Sequence, residues 1–147
     1  MTDLSHPAAY EDDFLLWLDA QTQLLHDRQF DQLDVPNLVE ELCAMKSKVR
    51  SELASRLRVL LMHLLKCEYQ PSHHTRSWNS TIMEQRSEIE IMLEQYPSLR
   101  RALPAMLEQR YPKAARDAAK ETGLPRPLFP AALPYTVEQI LDVDFLP

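Results

Sequence analysis

Glycine is almost absent from this chain of 147 residues, since Gly123 is the only one. A chain without glycine lacks the residues that tight β-hairpin turns and phosphate-cradling loops require. The composition therefore favours an all-α fold, and it excludes nucleotide sites that are built on glycine-rich loops.

Cysteine and long apolar runs are also scarce. Cys43 and Cys67 are too few for a disulfide framework. On one straight helix they would lie roughly 36 Å apart at ~1.5 Å per residue, far beyond disulfide reach. No apolar run approaches the ~20 residues of a membrane span, and the acidic N-terminus has no signal-peptide core. We expect a cytoplasmic protein with reduced thiols and no membrane association.

The net charge of −6 is unevenly distributed. Residues 1–45 hold ten acidic residues against Arg28 alone, a net charge of −9, whereas residues 46–126 carry a net charge of +6. The basic residues of the fourth predicted helix are Arg100, Arg101, Arg110, Lys113, Arg116, Lys120 and Arg126. We interpret them as a solvated charged face, because the chain has neither a helix-turn-helix signature nor a high pI.

The longest helical pattern runs from Pro36 to Tyr69. Its apolar residues recur at steps of three and four, which is the period of an α-helix. They are Val35, Leu38, Leu42, Met45, Val49, Leu53, Leu57, Leu60, Leu64 and Cys67. Lys46 falls inside this stripe at 100° per residue. Asp34 is placed to cap the helix and Pro71 to end it. We predict one long central helix, against which the rest of the chain packs.

A first helix is predicted to precede the long one. It runs from about Pro7 to Asp27, with Ser5 or His6 as its cap. Phe30 and Leu33 in the following link are expected to cover the end of the bundle.

Two further helices are predicted after the long one. Thr75 or Ser77 can cap the third. Pro104 and Pro112 argue against an unbroken fourth helix, so we expect it to be kinked or divided. Gly123 is placed to terminate that helix.

A proline-rich C-terminal strap is predicted to lie extended along the bundle. Thr136 to Gln139 resembles a capping box and predicts a short helix to about Asp142. Phe145 and Leu146 are expected to anchor the end. The fold class is therefore an all-α, single-domain helical bundle covering residues 1–147.

Six side chains could converge between the second and third helices, because a short loop makes these helices antiparallel neighbours. They are Arg56, His63, Lys66, Trp78, Gln85 and Arg86. A histidine among arginine, tryptophan and glutamine could bind an anion or a flat ligand. We favour the alternative that they form an interhelical hydrogen-bond cluster, since buried polar groups must be satisfied in any case.

A metal site is a weaker candidate. His63 and Cys67 share a helix face, and His73 and His74 follow the turn, so four zinc ligands are available. However, Cys67 sits on the apolar stripe, and this spacing matches no established pattern.

No other catalytic constellation is present in the sequence. The adjacent pairs Asp12-Asp13 and Glu40-Glu41 point about 100° apart on a helix, so we interpret them as solvated or first-turn residues. The sequence has no nucleophile elbow, Walker loop or zincin motif. We therefore expect no cofactor, and we favour a function other than catalysis.

Several segments taken in order form a specific pattern. They are Tyr10 to Phe14, Asn37 to Glu41, His63 to Pro71, Arg76 to Trp78, Ile82 with Gln85 and Arg86, Glu121 to Pro125, and Leu133 to Pro147. From about residue 8 to residue 147 this pattern resembles a bacterial, mainly cyanobacterial family, Domain of Unknown Function 29. The resemblance implies an all-α domain and no established activity. His63, Gln70, Pro71, Trp78 and Arg86 match its characteristic positions, whereas Cys67, His73 and His74 do not.

Three functions are compatible with these observations. The first is a protein–protein interaction or regulatory module with an unknown protein partner or as a homodimer. This hypothesis predicts exposed apolar surface beyond the few hundred Å² usual for a monomer. The second is a small-ligand or anion-binding protein or enzyme that uses the six-residue cluster. The third is nucleic-acid binding through the basic fourth helix.

Overall fold

The computed structural model describes residues 9–147. It contains five α-helices and, within that range, no β-strand, which confirms the predicted all-α class. The helices are α1 (Phe14–His26), α2 (Val35–Tyr69), α3 (Arg76–Gln95), α4 (Leu99–Thr122) and α5 (Val137–Leu141). Short 3-10 turns occupy Phe30–Gln32, Pro71–His73 and Arg126–Leu128.

The chain divides into two compact units, with the boundary between Ser47 and Lys48. The described part of unit 1 holds α1 and the start of α2. Unit 2 runs from Lys48 to Pro147 and holds the remainder of α2 and all later helices.

In unit 1, helix α1 begins at Phe14, so the predicted start at Pro7 is wrong. Ser5, His6 and Pro7 lie outside the described residues. The side chain of Asp13 caps the helix by accepting a hydrogen bond from the Leu16 N–H. This cap was overlooked because Asp12 and Asp13 also fit the first turn of a longer helix.

The C-terminus of α1 closes in a Schellman motif. The N–H groups of Arg28 and Gln29 donate to the carbonyls of Leu25 and Leu24. This geometry places Arg28 in the left-handed region at φ 59°, where glycine is the usual residue.

Asp34 joins α1 to α2. Its carboxylate accepts hydrogen bonds from the Trp17 indole at 2.9 Å and from the Asn37 side chain at 2.8 Å. Its own N–H donates to the Gln21 side chain at 2.8 Å. The bonds from Asn37 and Trp17 lower the pKa of Asp34. Trp17 and Gln21 are buried, so this carboxylate organises the contact between the two helices.

Tyr10, which precedes α1, contacts α2 two turns beyond Asp34. Its hydroxyl donates to Glu41, and this bond raises the pKa of Tyr10 to about 12. In contrast, Phe30 is 60% exposed, so the prediction that it covers the end of the bundle is wrong.

Helix α2 contains 35 residues, and its predicted length is confirmed. One part of its apolar stripe is buried and the other part is exposed. From Leu53 to Cys67 the stripe is buried in the core of unit 2. Val35, Leu42 and Met45 of the same stripe are exposed. The prediction that the chain packs along the entire helix is therefore wrong for its N-terminal part.

Unit 2 has one apolar core to which α2, α3, α4 and the C-terminal strap contribute. Helix α4 supplies a particularly continuous face, which consists of Leu99, Leu103, Met106, Leu107, Tyr111, Ala114, Ala115 and Ala118. The helix continues through Pro104 and Pro112, so the alternative of two short helices is wrong. Both prolines are exposed, and water can therefore hydrate the carbonyls that they leave without an N–H partner.

The C-terminal strap lies against this core as predicted. Phe129 and Tyr135 are buried, and the Tyr111 hydroxyl donates to the Pro130 carbonyl at 2.6 Å. Thr136 caps α5 in the expected capping box. Leu146 is 47% exposed, so the expectation that it anchors the end is wrong.

Gly123 ends α4 in the left-handed conformation at φ 74°. An added Cβ would meet no atom within 4 Å, so alanine at this position suffers backbone strain without a clash. We expect Gly123→Ala to lower the free energy of unfolding by about 1 kcal/mol. Gly123→Asn should lose less free energy of unfolding than Gly123→Ala, because asparagine tolerates the left-handed conformation better than alanine does. Urea titrations of the three proteins test this, and an alanine variant as stable as the wild type would contradict it.

Candidate functional site

Arg56 connects α2 with α3. It donates to Glu52 one turn earlier at 3.3 Å and to the Gln85 side chain at 3.3 Å. Glu88 of α3 lies 3.7 Å from the same guanidinium. The structure therefore brings the predicted residues Arg56 and Gln85 together by a hydrogen bond, within a half-exposed network that also contains the two ion pairs of Arg56.

Lys66 lies at a junction of three helices in unit 2. Its side chain is buried, and its Nζ donates to Glu121 of α4 at 2.7 Å. The same ammonium lies 4.5 Å from the ring centroid of Trp78 in α3. A buried ammonium is costly unless it is paired, and here both a carboxylate and an aromatic face stabilise it.

His63 is buried one turn before Lys66. Its Nδ1 lies 2.9 Å from the Val59 carbonyl, so this nitrogen carries the proton and donates. Burial lowers the pKa of His63, and the charge of Lys66 lowers it further. The imidazole is therefore neutral at pH 7, and its second nitrogen is left as an acceptor.

Arg86 holds the C-terminal segment onto α3. The side chain is 4% exposed, and it donates to the carbonyls of Ile140 at 2.8 Å and Gln139 at 3.3 Å. Burial lowers the pKa of the Arg86 guanidinium. The group nevertheless stays charged, because arginine is not deprotonated in proteins. Two of its five N–H donors bind main-chain carbonyls of α5.

The six predicted residues thus form three separate groups, centred on Arg56, Lys66 and Arg86. A cleft of about 700 Å³ lies between α3 and the C-terminal segment, and Arg86 lines it together with Met83, Ile91 and Val143. The other five predicted residues do not line this cleft. Arg56, Lys66 and Arg86 make contacts between elements of the fold, whereas His63 bonds within α2.

The four histidine and cysteine candidates for a metal do not converge. Cys67 Sγ lies 3.7 Å from His74 Nε2, which also lies 2.6 Å from the Asn79 side-chain oxygen. His63 bonds to its own helix, and His73 pairs with the adjacent serine. Within residues 9–147, no three His, Cys, Asp or Glu side chains are arranged to hold a metal ion.

Ion pairs connect α4 with α3 and with α2. Arg100 lies 2.7 Å from Glu90 of α3. Asp117, which lies among the basic residues of α4, pairs with Arg58 of α2 at 3.6 Å. Arg100 is thus the basic residue of α4 that the structure pairs with an acidic side chain.

The open face of α2, defined as Val35, Val39, Leu42 and Met45, was not among the predicted site residues. These side chains are 53%, 53%, 64% and 66% exposed. Trp17 of α1 contacts Asp34, and Tyr10 contacts Glu41. At 100° per residue these two acidic residues lie roughly 100–160° around the helix from Val35 and Val39, and roughly 20–40° from Met45. The apolar repeat in the sequence includes Val35, Leu42 and Met45. A repeat shows which side of a helix is apolar, but it does not show whether other residues bury that side.

Replacing Arg86 tests the attachment of the C-terminal segment. Arg86→Met leaves the carbonyls of Gln139 and Ile140 without their donors, so we expect a loss of about 2–4 kcal/mol in the free energy of unfolding. Hydrogen exchange should accelerate in α5 more than in α4. The control Arg76→Met, at an exposed position of α3, should change stability by less than about 0.5 kcal/mol. Unchanged exchange in α5 would contradict this assignment.

Acidification tests the state of His63. Its folded pKa lies below the ordinary 6.5, so in that window the unfolded chain binds a proton that the folded chain does not. The His63 contribution to the free energy of unfolding should therefore decrease as the pH falls below 6.5. As the pH falls from 7.5 to 5, we expect the free energy of unfolding of the wild type to decrease more than that of His63→Gln. Urea titrations measure it, with His26→Gln as the histidine-removal control, and a difference that is independent of pH would contradict it.

Comparison with known proteins gives one positive finding. The family model described as "Domain of unknown function DUF29" matches residues 9–146. No curated protein and no solved structure matches the chain. Within residues 9–147, no helix combines the length and the apolarity needed to cross a membrane. The match confirms the resemblance found in the sequence over nearly its whole length, and the chain belongs to the DUF29 family.

Proposed function

We propose that this protein is a protein–protein interaction module whose binding surface is the open face of α2. One observation carries the proposal. The stripe that forms the core of unit 2 from Leu53 onward continues in the N-terminal direction as exposed Met45, Leu42 and Val35. A stripe of this kind on a helix ordinarily marks the side that is buried.

The amount of apolar surface supports the proposal. Nine large apolar side chains in the described part of unit 1 are 42% to 70% exposed. They are Phe14, Leu15, Leu16, Leu25, Phe30, Val35, Val39, Leu42 and Met45. At roughly 150 Å² for a fully exposed side chain they present on the order of 700 Å². The four side chains of the open face account for slightly less than half of this area.

The small interior of unit 1 supports the same proposal. Among its described residues, only Trp17 and Gln21 are buried. Two helices that bury one tryptophan have little core of their own, and helices in proteins gain most of their stability from packing. A partner on the open face would supply the missing apolar contact.

Photo-crosslinking in cells that express the protein tests the proposal. A photoreactive amino acid is placed at Met45 in one variant and at Met83 in the other. The two methionines are 66% and 68% exposed, so they are matched in access. Position 45 should give adducts of discrete mass, whereas position 83 should give few or none.

Two outcomes would contradict the proposal. One is that neither position gives a discrete adduct. The other is that both positions give the same adducts in equal amount, because the reaction would then reflect exposure rather than a specific surface.

A further inference from the structure

The cleft between α3 and the C-terminal segment contains a part of Arg86 that the fold does not use. The Nε and Nη2 nitrogens of Arg86 donate to the carbonyls of Ile140 and Gln139. Within residues 9–147, its Nη1 nitrogen makes no hydrogen bond, whereas every fully buried side-chain nitrogen or oxygen in that range has a partner. Nη1 is therefore accessible. Because Arg86 lines the cleft, the two N–H groups of Nη1 are open to a ligand there.

The buried charge of Arg86 also lacks a carboxylate beside it. In the described part of the chain no Asp or Glu oxygen lies within 4.0 Å of its guanidinium, and Asp142 acts on it from beyond that distance. The buried ammonium of Lys66, in contrast, lies 2.7 Å from Glu121. A buried cation is stabilised by a paired carboxylate, and the planar fork of a guanidinium matches the two oxygens of a carboxylate. A ligand with a carboxylate would supply the counter-charge that Arg86 lacks.

The walls of the cleft are largely apolar. Met83, Ile91 and Val143 line it, and their side chains are 68%, 51% and 75% exposed. The volume of about 700 Å³ lies within the ~300–1,000 Å³ of typical small-molecule sites. Such sites combine an apolar lining with a few polar groups that orient the ligand. The cleft has this composition, with Arg86 as its cationic group.

The acidic residues that line the cleft restrict the charge of a ligand. They are Glu90, Glu94 and Asp144. Arg100 neutralises Glu90 at 2.7 Å, and the other two are exposed to water. Glu94 lies about 12 Å from Arg86 along the axis of α3 at ~1.5 Å per residue, so salt screens its repulsion of an anion beside Arg86. A second negative charge at the far end of a ligand would lie closer to Glu94 and would be repelled.

We propose that this cleft binds a small aliphatic monocarboxylate, with its carboxylate on Nη1 of Arg86 and its chain against Met83, Ile91 and Val143. The site lies entirely within unit 2 and uses no residue of the open face of α2, so it is independent of the proposed function. A carboxylate of this size captured at position 83 would leave the mass of the protein almost unchanged. Met83 therefore remains a control for protein partners.

Calorimetry with three ten-carbon probes tests the recognition of charge. At pH 7, decanoate should bind the full chain one-to-one with a dissociation constant of about 0.1–1 mM. Decylamine should bind at least about tenfold more weakly, because its ammonium would face the guanidinium. Decanedioate should bind about three- to tenfold more weakly than decanoate, because its second carboxylate approaches Glu94. The series tests Arg86 without a variant at that position, which also holds α5.

Two variants test the location of the site. Ile91→Glu replaces an apolar wall of the cleft with a negative charge, so the dissociation constant of decanoate should rise about tenfold. The matched control is Leu128→Glu, outside the cleft, which should change that constant by less than about twofold. Ile91 and Leu128 are 51% and 49% exposed, so neither substitution places a charge in the core. Circular dichroism verifies that both variants keep their helices.

Three results would overturn the proposal. The first is that decanoate shows no saturable binding up to several times the expected dissociation constant. The second is that decylamine or decanedioate binds as tightly as decanoate, because the guanidinium would then not select the ligand. The third is that Ile91→Glu and Leu128→Glu weaken decanoate equally, because binding would then not depend on this cleft.

Discussion

The burial of the apolar stripe of α2 determines how the other elements of unit 2 pack. From Leu53 to Cys67 the apolar residues of α2 form the centre of the unit 2 core, against which α3, α4 and the C-terminal strap pack. Burial of apolar surface is the main favourable term in folding, and each such side chain contributes about 1.5–3 kcal/mol. The same repeat continues toward the N-terminus, where Val35, Leu42 and Met45 are exposed in the described part of the chain. The open face is therefore a direct extension of what stabilises the fold.

The buried cations show how that core accommodates charge. Lys66 is neutralised by Glu121 and lies over Trp78, and Arg86 donates to two main-chain carbonyls of α5. Both cations therefore hold separate elements of unit 2 together. Polar residues grouped in the sequence thus serve contacts between helices, whereas the surface that lacks a partner is apolar.

Local chemistry made much of the fold predictable. Thr136 and Gly123 are predictable helix boundaries, and Thr75 is one of the two predicted caps of α3, because caps and left-handed termini depend on a few adjacent residues. The start of α1 was missed because Asp13 competed with earlier candidate caps. The continuity of α4 through Pro104 and Pro112 depends on their exposure to water, which a sequence does not display. The open face was missed for a related reason, since a 3.6-residue period shows which side of a helix is apolar but not what covers it.

The two cysteines of α2 differ in a way that has a practical consequence. Cys67 is buried, and burial raises the pKa of its thiol, so little of the reactive thiolate is present. Cys43 is exposed, one turn from Val39 and adjacent to Leu42. A thiol-directed fluorophore will therefore label the natural chain at one position, on the border of the open face. Its emission should change when an occupant displaces water there, so binding can be followed without altering any residue of the protein.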